Sequence, residues 1–93
     1  MDTHNDIRMA QEQIQQEIAG CRMVVGAKQL RKTVLAGQAK KVYLAQDADP
    51  AITEPIARMC LEMRVPFTWV HSMKDLGRAC KIDVGAAAAA ATF

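Results

Sequence analysis

The side chains best suited to recognition chemistry cluster in the stretch GAKQLRK, Gly26 to Lys32. Lys28, Arg31 and Lys32 stand at i, i+3 and i+4, so on a helix they form one compact basic face. A helix start carries free backbone N–H groups and a partial positive charge, which together attract phosphate. Gly26 has no Cβ, so another backbone can approach closely there. Lys28 and Gln29 fall in the first turn and reach past the backbone; a lysine donates to guanine acceptors, and a glutamine amide both donates and accepts. A cation in that turn opposes the helix dipole by some tenths of a kcal/mol, a conflict that an external anion would remove. No acid occurs between Glu17 and Asp47, although Arg22, Lys28, Arg31, Lys32, Lys40 and Lys41 lie between them. The expectation is that negative charge comes from outside the chain. The plainer alternative is a solvated basic face, and charge alone leaves both open.

Catalytic constellations are nearly absent. His4 sits near the terminus, and His71 follows an apolar run with no acid or nucleophile at a recognisable spacing. There is no HExxH, no GxSxG and no paired-carboxylate motif. GAKQLRK is not a phosphate-binding P-loop, because it lacks the second glycine and the GK[ST] ending. Asp47 and Asp49 can be read as Mg²⁺ ligands or as turn and helix-cap residues; the second reading is preferred. Cys21, Cys60 and Cys80 fit neither metal-cluster nor CxxC spacing, and an odd count argues against a complete disulfide framework. They are expected to be buried, reduced thiols of a cytoplasmic protein. No enzymatic activity, metal or cofactor is expected.

These residues need a scaffold. The 93 residues, 51% hydrophobic and 24% charged with a formal net charge of +2, suit one globular domain over 1–93. MDTHNDIRMAQ lacks the apolar core of a signal peptide, and no run approaches the roughly 20 apolar residues of a membrane span. Ile7, Ala10, Ile14 and Ile18 predict a helix over about 5–19, stopped at Gly20. CRMVV reads as a short strand. A helix over 27–36 follows, with Ala27, Leu30 and Val34 as its apolar face and Gly37 as its stop. KVYLA reads as a buried strand, with Lys40 and Lys41 as solvated charges at its entry. Asp49 as N-cap and Pro50 in the first turn open the next helix. Its expected apolar stripe is Ile52, Ile56, Met59, Cys60 and Met63, and it ends before Pro66. FTWV is a strand, and Ser72 caps a short helix to about Cys80 with Leu76 and Ala79 inward. The alanines of VGAAAAAATF have high helix propensity, yet a strand is due by alternation and is preferred. The α-β-α-β-α-β-α-β order predicts an α/β fold: a three-layer α/β/α sandwich around a mixed sheet of about four strands.

Three stretches carry a family resemblance in combination: G-x-K-Q-x-x-K, then D-A-D-P, then V-x-S-M-K-x-L-G-x-A-C. Over roughly residues 20–92 the chain resembles the kink-turn RNA-binding ribosomal protein family (L-seven-Ae-like), above all its small bacterial members. The resemblance implies a non-catalytic, monomeric RNA-binding protein of the ribosome or of regulatory RNA. Its target would be a kink-turn, an RNA helix bent sharply at a bulge beside tandem sheared G·A pairs. Such irregular elements expose base edges that regular A-form RNA hides. By this likeness Gly26, Lys28, Gln29 and Lys32 read the G·A pairs, with Arg31 on the same basic face. The loop His71, Ser72, Met73 and Lys74 packs on the bulged nucleotides. For Met73 ordinary packing remains the competing role.

There are departures. Archaeal and eukaryotic members commonly carry Asn-Glu where this chain has Lys28-Gln29, and neutral Gln29 is a weaker acceptor than a carboxylate. Asp75 puts an acid where a basic residue is more typical, and Lys81 replaces a common glycine. Two other classes stay in view. One is a protein-interaction scaffold of the same fold without RNA readout. The other is a small-ligand or nucleotide-processing enzyme, suggested only by the α/β class.

Overall fold

The computed structural model of the chain describes the backbone of residues 8–9 and 11–93, and the side chains from Ile14 onward. The element order is β1 (Arg8–Met9), α1 (Gln11–Ile18), β2 (Met23–Val25), α2 (Ala27–Leu35), β3 (Ala39–Ala45), α3 (Pro50–Met63), β4 (Phe67–Val70), α4 (Met73–Ala79) and β5 (Ala88–Thr92). The strands form one mixed sheet in the order β1-β4-β3-β5-β2. β1, β4 and β3 run parallel, and β5 inserts antiparallel between β3 and β2.

Strand alternation sorts the core into two faces. Tyr43, Ala45, Ala89 and Ala91 point toward α1 and α4, where Ile14, Ile18, Leu76 and Ala79 meet them. Val42, Leu44, Ala88 and Ala90 point the other way, toward Leu30, Val34, Ile56 and Cys60 of α2 and α3. This is the expected α/β/α sandwich. The alanine run is a strand because it is central: its side chains are buried on both faces, and pairing on both edges uses every backbone group that a helix would have satisfied internally.

Several expectations need correcting. The helix predicted over 5–19 is shorter. Arg8–Met9 instead pair with Trp69 and Val70 on the open edge of β4, adding a fifth strand to the four expected; edge pairing satisfies ladder groups that would otherwise be left to solvent. Ile7, Ala10 and His4 lie outside the described residues. On α3 the buried positions are Thr53, Ile56 and Cys60, while Ile52 and Met63 are exposed, so the stripe is rotated from the one predicted. Lys40 and Lys41 are the second and third residues of β3, at a bulge, and Lys40 is the exposed entry charge expected of it. Lys41 is only half-exposed, and its Nζ is 2.8 Å from Glu17 Oε1, so it does have an acidic partner. Of the cysteines only Cys60 is fully buried; Cys21 and Cys80 are half-buried, and all three are free. Burial pushes the Cys60 and Cys80 thiols up.

Candidate functional site

β2, β3 and β4 run in one direction, so their carboxyl ends, and the starts of the helices that follow them, share one edge of the sheet. In α/β sheets that edge is where ligands are commonly held. Here it is stitched by backbone contacts through the segment leading into β5. The Gly26 N–H donates to the Ala88 carbonyl (3.1 Å), the Ala45 N–H to Ala87 (2.9 Å), and the Ala86 N–H to the Met73 carbonyl (3.0 Å). Residues 86–88 thereby join the two sequence-predicted patches, Gly26–Lys32 and His71–Lys74, into one edge.

The three helix starts differ. α3 is capped by Asp49, whose side chain accepts from the Ala51 N–H at 2.9 Å. Ser72 caps α4 by accepting from the Asp75 N–H at 3.0 Å. Both caps were legible in the sequence. α2 has no side-chain cap and no acid in its first turn. Its first intrahelical bond runs from the Leu30 N–H to the Gly26 carbonyl, so the N–H groups ahead of it point outward. Gly26 has φ 104° and ψ 141°, a backbone conformation that favours glycine, and a Cβ placed there would meet only open space. The glycine answers a conformational need and leaves the approach clear.

Leu30 and Val34 anchor the opposite side of α2 in the core. Lys28, Gln29, Arg31 and Lys32 are consequently all exposed. Among the described residues the close contacts between basic and acidic side chains are Lys41–Glu17 and His71–Asp75, and neither involves a cation of α2.

In the second patch His71 is exposed, with Nδ1 3.6 Å from Asp75 Oδ2. The sequence reading had assigned His71 no acid; this i+4 partner is on the same turn. Lys74 is exposed, but Met73 is half-buried and packs against the core, so the packing role applies to it at least in part. Its N–H donates to Asp47 Oδ1 at 2.7 Å. Asp47 thus sits in the turn before α3, as the turn-and-cap reading had it with Asp49 as the cap, and in addition bridges this turn to the start of α4.

Sequence reasoning also missed Val84, an exposed apolar residue beside Gly85, which packs on Met73. A Cβ on Gly77 of α4 would run into the Val84 carbonyl, so small residues at 77 and 85 set this close approach. The pair Gly77/Gly85 was the available signal. Lys81 has φ 62°, the left-handed conformation that the missing glycine would adopt freely. The Ile82 N–H still reaches the Gly77 carbonyl and the Lys81 N–H the Arg78 carbonyl, so the turn persists at some conformational cost.

Among the described residues no group of three His, Cys, Asp or Glu side chains could hold a metal, and no helix is long and apolar enough to cross a membrane. Around α2 the edge offers backbone N–H groups, cations, the Gln29 amide and a few apolar side chains; its carboxylates, Asp47, Asp49 and Asp75, sit on the turn before α3 and the first turn of α4. That combination defines a small α/β/α protein with an anion-receptive helix start. The chain belongs to the Ribosomal protein L7Ae/L30e/S12e/Gadd45 family, whose model matches residues 9–93. A Geobacillus sp. (strain WCH70) protein named as RNA-binding is 49% identical over 69 residues, spanning 74% of this chain and 84% of that one. RNA-binding protein YbxF of Geobacillus stearothermophilus is 48% identical over the same shares. Among solved structures, the 15.5 kD RNA-binding protein of Giardia lamblia superposes with a TM-score of 0.78 at 28% identity, covering 89% of this chain and 70% of that chain. A Bacillus halodurans protein of unknown function gives 0.77 at 20% identity and shows likeness of fold alone.

Proposed function

We propose that this chain is a non-catalytic, monomeric RNA-binding protein that recognises kink-turns in ribosomal or regulatory RNA. The observation that carries the reading is the uncapped start of α2. It presents Gly26, Lys28, Gln29, Arg31 and Lys32 outward, with no acid in its first turn, on the edge that residues 86–88 tie to the loop His71–Lys74. The RNA-binding relatives support the same class of partner.

In this reading Gly26 and the open N–H groups admit the RNA backbone, Lys28 and Gln29 address guanine and adenine edges of the G·A pairs, and Arg31 and Lys32 contact phosphate. His71, Lys74 and the hydroxyl of Ser72 approach the bulged strand. Met73 and Val84 offer apolar surface to an unstacked base.

The test is a titration of the protein against a kink-turn RNA and its G·A→G·C control at two salt concentrations. Selective binding to the intact motif that weakens as salt rises is the expected result. Equal binding to both RNAs would defeat the kink-turn reading. Salt-insensitive, RNA-free assembly into a defined oligomer would favour a scaffold instead.

A further inference from the structure

A carboxylate on an RNA-facing edge is out of place electrostatically, because it repels phosphate. Asp47 stands at that edge, exposed, in the turn between β3 and α3. Its Oδ1 accepts the Met73 N–H at 2.7 Å across 26 residues of sequence. The Met73 carbonyl is held at the same time by the Ala86 N–H at 3.0 Å. Met73 is thus fixed from both sides of its peptide, by one side chain and by the segment that also ties down Gly26. Met73 is the first residue of α4, and its N–H has no intrahelical partner. The Ser72 hydroxyl accepts from the Asp75 N–H instead, and the acceptor for the Met73 N–H is Asp47.

From this arrangement we propose that Asp47 is a positioning residue for RNA recognition: it clamps the β4–α4 loop in the conformation that presents His71 and Lys74 to the ligand. The inference rests on the RNA-binding reading above. It assigns Asp47 a favourable role despite its charge, so the two effects have opposite signs and can be separated. Removing the charge alone strengthens attraction for phosphate, whereas removing the acceptor frees the loop and weakens binding.

The experiment compares Asp47→Ala and Asp47→Asn with the wild type. Affinity is measured for a kink-turn RNA, and hydrogen exchange of the Met73 amide is measured in the free protein. Asparagine keeps an oxygen acceptor and drops the charge. The expected result is about tenfold weaker RNA binding for Asp47→Ala, the scale of losing a charge-assisted hydrogen bond. Asp47→Asn is expected to bind at least nearly as well as the wild type. The Met73 amide should exchange faster in Asp47→Ala only, and by more than amides of the β3–β5 core, with all three proteins folded at the titration temperature. RNA binding by Asp47→Ala equal to or tighter than wild type would overturn the proposal, as would a Met73 amide whose exchange is unchanged by the alanine. If the wild type binds no RNA, the RNA reading itself fails, and the exchange data still decide whether Asp47 clamps the loop.

Discussion

Gln29 and Lys32 are both exposed on α2, and the proposed RNA recognition would give them different tasks. Gln29 carries an amide able to match base edges, so Gln29→Ala should erase the preference for the intact kink-turn over the G·C control while leaving much of the overall affinity. Lys32 carries a point charge, so Lys32→Ala should weaken binding to both RNAs alike and lower the salt slope by about one unit, read from affinities across a salt series. Reversal of these two signatures would misassign the face. Lys81 is a residue-scale matter of stability. A non-glycine residue in the left-handed region costs about 1–2 kcal/mol, partly offset in Lys81→Gly by the greater freedom of glycine in the unfolded chain. Net stabilisation of about 0.5–1 kcal/mol is expected, as a rise in denaturation midpoint at unchanged m.

At the scale of elements, α4 and α1 are held against the sheet by different means. α4 depends on a close approach, since Gly77 lies against the Val84 carbonyl. Gly77→Ala should destabilise by about 1–3 kcal/mol, the range for overpacking a tight contact; thermal or denaturant unfolding measures it. α1 is fastened by Glu17, whose Oε1 accepts from the Tyr43 hydroxyl at 2.6 Å and from Lys41 Nζ at 2.8 Å. Partial burial alone would raise the Glu17 carboxyl. The hydrogen bonds from Lys41 and Tyr43 and the Lys41 charge outweigh it, and the net direction is down from the usual 4.5. A carboxyl depressed in the folded state stabilises fully above its unfolded value, and the contribution fades as pH falls through the folded value. Stability should therefore decline below about pH 4.5, and Glu17→Gln should remove that part of the decline in an acid-unfolding series. Tyr43 shifts upward because it is buried and because its hydroxyl donates a hydrogen bond to the negatively charged Glu17. Its contribution is present below the ordinary tyrosine range and is lost only in strong alkali.

For the molecule as a whole, what could be read from the sequence was local. The Asp49 and Ser72 caps, the Gly37 stop, the strand FTWV and the inward side of α2 follow from neighbours a few residues apart. β5 was legible because alternation demanded a strand where propensity favoured a helix, and because the family resemblance pointed the same way. The pairings that could not be read span the chain: Arg8 with Trp69, Glu17 with Lys41, Asp47 with Met73. Nothing in a local pattern of hydrophobicity encodes them, because they arise when distant elements are packed side by side. The candidate site shows the same division. Its cations and their spacing were legible, whereas the placement of α2 beside the β4–α4 loop depends on β5 inserting between β3 and β2. The uncapped start of α2 is the centre of the account, and amide mapping by NMR during titration with a kink-turn RNA tests it most directly. The account predicts that the largest shifts fall at Gly26–Lys32, His71–Lys74 and Gly85–Ala88, with little change at the far ends of the helices, Ala36–Gln38 and Cys80–Ile82. Shifts concentrated at those far ends, with Gly26–Lys32 unmoved, would contradict it.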